Sequence, residues 1–172
     1  TAPMPSFGPA RKLKGHVVTG ASVAQEYVAP ADVLIVTALR MERDAVRAVT
    51  IGALGMWFDV PLPGTSLRLE RRSFRAADGG ELHVALVCTE EMGGEMTSGV
   101  AGAAALALRP QCVAMCGVAA GHPTDTEFGD GVIADRLLLH DSGKRKEGRF
   151  EHEPRAKELP LLWRTRARDF SE

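Results

Sequence analysis

No run of about 18 apolar residues occurs in the 172-residue chain, and no charged start leads into an apolar signal core. The sequence therefore argues against a membrane helix and for a cytoplasmic location. Cysteine is scarce: Cys88, Cys112 and Cys116 all sit in apolar runs. An odd count in such places reads as buried thiols in a reducing compartment, not as a disulfide framework. Cys112 and Cys116 lack the spacing and the second ligand pair of a zinc site, so no metal is expected. Neither charge dominates, with 21 basic residues against 22 acidic ones. That balance removes nucleic acid and anionic membrane surfaces as main partners. His83, His122 and His140 are scattered, with no HExxH and no Ser/His/Asp pattern, and there is no internal repeat or low-complexity segment.

What is present suits one globular domain with a real core, at 45% hydrophobic content. Residues 1–30 read as a leader or linker, with Pro3, Pro5, Gly8 and Pro9 ahead of basic Arg11, Lys12 and Lys14. The domain occupies 31–172. Val33 to Val36 is a continuous apolar run, as in a strand buried on both faces. Met41 to Val49 follows helical spacing, with Met41, Ala45, Val46 and Val49 on the inner face and Arg43, Asp44 and Arg47 facing water. Leu67 to Phe74 and Leu82 to Cys88 form a hairpin around Asp78-Gly79-Gly80. Met96 to Leu108 is an Ala- and Leu-rich helix stopped by Pro110. Val113 to Cys116 is a strand, Val132 to Leu139 another apolar run. A polar stretch follows Lys144, and a last helix spans Arg155 to Phe170 with a break at Pro160. This order predicts an α/β fold with a mixed sheet and helices on both faces.

The chemistry concentrates at strand ends. The run Val113 to Cys116 stops at Gly117, and Ala119, Ala120 and Gly121 follow, so a ligand can approach the backbone. Ligands of open α/β sheets gather at the carboxyl ends of strands. Glu42 opens the first helix just beyond the first strand. It reads as a first-turn carboxylate favoured by the helix dipole, or as one that orients water or a sugar hydroxyl. Met92-Gly93-Gly94 lies between a strand and a helix, where backbone N–H groups can meet a polar ligand. Glu90, Glu91 and Glu95 disfavour free phosphate there. Asp130 reads first as a turn cap.

Three segments taken together resemble the nucleoside phosphorylase/nucleosidase superfamily, which includes purine nucleoside and uridine phosphorylases and methylthioadenosine/S-adenosylhomocysteine nucleosidase. They are VLIVTALRMERDAV at Val33 to Val46, CTEEMGGEMTSGVAGAAALALRP at Cys88 to Pro110, and CVAMCGVAAG…FGDGVIADRLLLHDSGK ending at Lys144. The resemblance implies a three-layer αβα sandwich around a mixed sheet and cleavage of an N-glycosidic bond without metal or organic cofactor. It implies that Glu42 holds the nucleophilic water. Met92 and Gly93 then line the ribose, and Gly117, Val118, Ala119 and Gly121 lie beside base and ribose. Met115, Met96 and Val118 stand where phosphorylases carry phosphate-holding arginine and hydroxyl residues, which favours a hydrolase over a phosphorylase. The nucleosidases themselves usually have serine at the place of Val118. The family's Met-Glu pair and base-protonating aspartate have no counterpart after Lys144. The expectation is therefore a partial domain lacking its C-terminal third, weak or inactive by itself. It acts on a purine nucleoside or nucleotide, or senses one without turnover as a module of a larger protein. Relatives of this kind associate, so a homo-oligomer is expected.

Overall fold

The computed structural model describes residues 28–62, 65–90, 93–139, 143–146, 148–152 and 155–169. They divide into two compact units, one ending at Gly117 and one beginning at Val118. Most of residues 1–30, together with Met92, His140, Asp141 and Ser142, lie outside the described residues.

The first unit is an α/β fold on a mixed five-stranded sheet. Its strands are β1 (Val33–Thr37), β2 (Ala53–Pro61), β3 (Arg68–Arg75), β4 (Glu81–Cys88) and β5 (Cys112–Met115), in the order β2-β3-β4-β1-β5. β1 pairs in parallel with both β4 and β5, and β2, β3 and β4 pair antiparallel. The β3–β4 turn closes at Asp78, whose carboxylate accepts from the Gly80 N–H at 2.9 Å, as its Asx-turn chemistry predicts. β2 was not foreseen. Gly55, Asp59 and Pro61 break its pattern, and it serves as an edge strand, where such residues are tolerated.

Register decides which side chains share a face. Leu34 and Val36 align with Ala85 and Val87, and this face packs against helix α2 (Gly94–Leu108) through Val100, Ala104 and Leu108. Those three lie one turn apart, on one stripe of the helix. The opposite face carries Ile35, Leu86 and Glu70 and receives helix α1 (Arg40–Arg47). Here the expected orientation of α1 is corrected. Met41 is 65% exposed, and Ala45 and Val49 are exposed too. Arg43 and Arg47 turn toward the sheet instead, 3.7 and 3.1 Å from the Glu70 carboxylate. Glu70 sits on the covered face at only 14% side-chain exposure, and a carboxylate taken that far from water draws cations to itself. Of the expected inner face only Val46 is half-buried, and the helix is turned so that Arg43 and Arg47 reach the Glu70 carboxylate beside it.

The entry of the chain is also held from inside. Arg71, nearly buried, donates to the carbonyls of Ala29 and Pro30, each at 2.6 Å. Burial lowers its pKa from the ordinary arginine value. Ala31 is buried and donates to the Leu108 carbonyl at the end of α2.

The second unit pairs β6 (Arg136–Leu139) with β9 (Arg155–Glu158) and β7 (Gly143–Lys146) with β8 (Arg149–His152), each antiparallel, before α3 (Leu161–Asp169). The polar stretch after Lys144 therefore holds the end of β7 and all of β8, and β9 stands where the last helix was expected to begin. The last helix begins only after Pro160, whose carbonyl accepts from Trp163 and Arg164. Proline's fixed φ and missing N–H suit the start of a helix, not its middle.

Candidate functional site

Because β1, β4 and β5 run parallel, their carboxyl ends lie along one edge of the sheet. The segments that follow them are the ones singled out by sequence: Glu42 after β1, Gly93 after β4 and Gly117 after β5. β1 stands between β4, reached through α1, and β5, reached through α2, and the two helices occupy opposite faces. Connections diverging in this way open a crevice beyond the strand ends.

Glu42 is the best-defined group there. Its Oε2 accepts from the N–H of Ala38 and of Leu39, both at 2.9 Å. Leu39 is the N-cap of α1 and has no side-chain acceptor, so Glu42 satisfies the helix start from inside the first turn. The same carboxylate lies over Gly117. A Cβ at that glycine would stand 2.7 Å from Oε1 and 3.1 Å from Cδ of Glu42. The close approach expected at Gly117 thus exists, and the group that approaches is a carboxylate of this chain. Glu42 and Gly117 are brought together across the sheet edge from segments 75 positions apart in sequence.

Gly93 caps α2 with φ of 136°, a conformation that favours glycine. It opens on a cavity of about 840 Å³ that also involves Thr65, Ser66, Gly94 and Met96. A second cavity of about 590 Å³ lies against the carboxyl end of β4, bounded by Arg43, Arg68, Glu70, Cys88, Thr89 and Glu90 among others. Sequence reading placed Arg43 in water and passed over Arg68 and Glu70. The only available signal was the spacing of Arg43 and Arg47, one helical turn apart, which suits a shared anionic partner.

Cations around this edge are engaged. Arg40 donates to Glu90 at 2.7 Å, which raises the pKa of Arg40 and holds the Glu90 carboxyl below the usual range. Arg43 bonds Asp44 at 2.9 Å and faces Glu70, and Arg68 lies 3.5 Å from Asp59. Met115 aligns with Val36 and so lies on the α2 face of the sheet. His83 lies near the start of β4, toward the opposite end of the strand, with its Nδ1 3.1 Å from Ser73 Oγ.

Val118, Ala119 and Gly121 belong to the second unit and are exposed. Gly121 lies so tightly against Thr126 that a Cβ there would overlap its side chain. Asp130 accepts from the Glu127 N–H at 2.8 Å, the turn-capping role expected of it. The thiols differ from expectation: Cys116 is exposed, and Cys88 and Cys112 are only half-buried. Cys116 sits just past β5, which ends the strand order of the five-stranded sheet among the described residues. Among the described residues, no three or more His, Cys, Asp and Glu side chains are grouped to hold a metal, and no helix is long and apolar enough to cross a membrane. Comparison with protein-family models, curated proteins and solved structures produced no match for this chain.

Proposed function

We propose that this chain carries part of a nucleoside phosphorylase-like three-layer αβα domain that hydrolyses the N-glycosidic bond of a purine nucleoside or nucleotide. The observation that carries the reading is Glu42: a carboxylate held by two backbone N–H groups where the parallel strands end, against a glycine that leaves it room. Helices on opposite faces of the sheet support the layered architecture. In the proposed reaction, water attacks C1′ of the sugar while the bond to the base nitrogen breaks. The bonding pair leaves with the base, which takes up a proton, and Glu42 accepts the proton that the water loses. No residue of this chain is assigned as the acid that protonates the base. Such a step contributes roughly 10²–10⁴-fold in rate, so the chain alone is a weak catalyst in this reading. A hydrolase fits better than a phosphorylase because Arg40, Arg43 and Arg68 are already paired with carboxylates. A phosphate dianion needs unspent donors.

One observation favours a second reading, a module that senses a nucleoside without turnover. Glu42 Oε2 is committed to the start of α1, a role that a purely structural carboxylate also fills. Base release from adenosine, methylthioadenosine and ATP by the full-length protein, with Glu42→Gln as control, distinguishes the two. Free base that disappears in the variant supports hydrolysis. Saturable binding in calorimetry without base release supports sensing. Base release unaffected by Glu42→Gln overturns the assigned role.

A further inference from the structure

Strand pairing assembles a serine–histidine couple that no motif in the sequence announces. Ser73 on β3 and His83 on β4 stand directly opposite each other in the ladder, so their side chains share a face. Ser73 Oγ is 3.1 Å from His83 Nδ1, and Glu81 Oε1 lies 3.7 Å from the same nitrogen. The backbone of His83 is fixed at both of its polar groups. Its N–H donates to Asp32 Oδ2 at 2.7 Å, and its carbonyl accepts from the Asp32 N–H at 2.8 Å. Ser73 is half-buried, His83 is exposed, and both line a cavity of about 510 Å³. Phe58 and Pro30 give that cavity apolar wall, and Arg71 and Asp32 give it opposite charges. It lies toward the amino end of β4, whereas Glu42 stands beyond the carboxyl end of the parallel β1. The two places are therefore separate.

We propose that Ser73 is a nucleophile with His83 as its general base, and that this cavity takes a small, neutral carboxylic ester. A serine hydroxyl is a weak nucleophile until a base stands within hydrogen-bond reach, and His83 does. With the imidazole proton on Nε2, Nδ1 accepts from the Ser73 hydroxyl. Oγ attacks the ester carbonyl carbon and the hydroxyl proton passes to Nδ1. The bond to the alcohol oxygen then breaks, that oxygen takes the proton from Nδ1 and leaves, and the acyl group stays on Oγ. Water attacks the acyl carbon next and gives a proton to Nδ1. Oγ departs, recovers that proton, and the carboxylic acid is released. While the imidazole is doubly protonated, the Glu81 carboxylate supplies the opposite charge, which makes Glu81 a positioning residue. Arg71 shares the face of Ser73 and spends only two of its five N–H groups, on Ala29 and Pro30. Its positive charge favours the oxyanion of the intermediate. Arg71 and Asp32 cancel in net charge, so a neutral ester with an apolar acyl or aryl group suits the cavity better than an ion.

Reaction of the full chain with p-nitrophenyl acetate tests this. A burst of about one equivalent of nitrophenolate per chain is expected before slow turnover, as an acyl-enzyme requires. Peptide mapping by mass spectrometry then finds the acetyl group on Ser73, and a fluorophosphonate probe labels the same residue. Ser73→Ala abolishes burst and label. His83→Gln slows acylation by about 10²–10⁴-fold, the usual worth of a general base. Glu81→Gln lowers kcat about fivefold with KM unchanged, the effect of losing one charge near 4 Å in water, and Glu81→Asp restores most of it. The mapping reads the unaltered chain and so does not depend on any variant folding. Acetyl found only on lysines or on His83 overturns the proposal. So does a chain that the fluorophosphonate leaves unlabelled, or an acylation rate that Ser73→Ala does not change.

Discussion

Alanine at position 117 should change the sign of its effect according to what stands at position 42. Gly117 has an ordinary backbone conformation, so alanine is permitted there by φ and ψ. In isolation that exchange restricts the unfolded chain and stabilises by about 0.4–1 kcal/mol. In the native structure the new Cβ meets Glu42 Oε1 at 2.7 Å and Cδ at 3.1 Å, inside any tolerable contact. The carboxylate must then move, and moving it lengthens the bonds from Ala38 and Leu39. Charge-assisted bonds of this kind contribute about 1.5–3 kcal/mol when sheltered, and less here because Glu42 is half-buried. We expect Gly117→Ala to destabilise the first unit by about 1–2 kcal/mol net. Glu42→Ala alone removes the helix-start bonds and costs about 1 kcal/mol. In that background the carboxylate is gone, and Gly117→Ala becomes neutral or stabilising. The cycle therefore gives a coupling of about 1–3 kcal/mol, well above the additivity error. Urea unfolding of the four proteins, followed by fluorescence, measures it. Additive single effects, or Gly117→Ala that stabilises the parent, would refute the close packing of Glu42 on Gly117.

Arg71→Met keeps the volume but leaves the carbonyls of Ala29 and Pro30 without their donor. A loss of about 2–4 kcal/mol is expected, together with faster proteolysis ahead of Asp32, read by mass spectrometry of the cleavage products. The Arg40–Glu90 pair has a defined pH sign. Because the folded Glu90 pKa is depressed, its contribution is present above the unfolded carboxyl value and lost as pH falls through the folded one. Carboxyl-carbon NMR should show Glu90 titrating below a free glutamate and returning toward it in Arg40→Ala or in high salt, since the pair is exposed. Among the thiols, Cys116 should be alkylated by iodoacetamide well before Cys112. Cys116 is open to solvent, whereas burial raises the Cys112 pKa and thins its thiolate. Peptide mapping after graded alkylation gives the order, and a faster Cys112 contradicts it.

Local chemistry was legible in the residues themselves. Val33 to Val36 is a strand as its apolar run predicts, though only its Leu34 and Val36 face is buried and its Val33 and Ile35 face is half-buried. Asp78-Gly79-Gly80 turns because its side chain and glycines satisfy a tight bend. Ala-rich α2 between Gly94 and Pro110 followed from propensity and a stop signal. The residues also placed Glu42, Gly93 and Gly117 just beyond strand or apolar-run ends. That β1, β4 and β5 run parallel, so that those ends share one edge, came from the assembled sheet. Three further things needed the assembled chain. Helix α1 is turned so that Arg43 and Arg47 reach Glu70, 27 positions beyond Arg43, and no periodicity within the helix can register a charge on another strand. The role of β2 as an edge strand depends on its partner β3, since its own sequence carries glycine, aspartate and proline. That Gly117 makes room for Glu42 is a contact across the sheet, invisible in either segment alone. Sequence by itself determines which segments can be strand, helix or turn, because those preferences act within a few residues. Only the tertiary structure decides which faces are buried and which carboxylate meets which glycine, because burial and charge pairing act through space between residues that the chain keeps far apart.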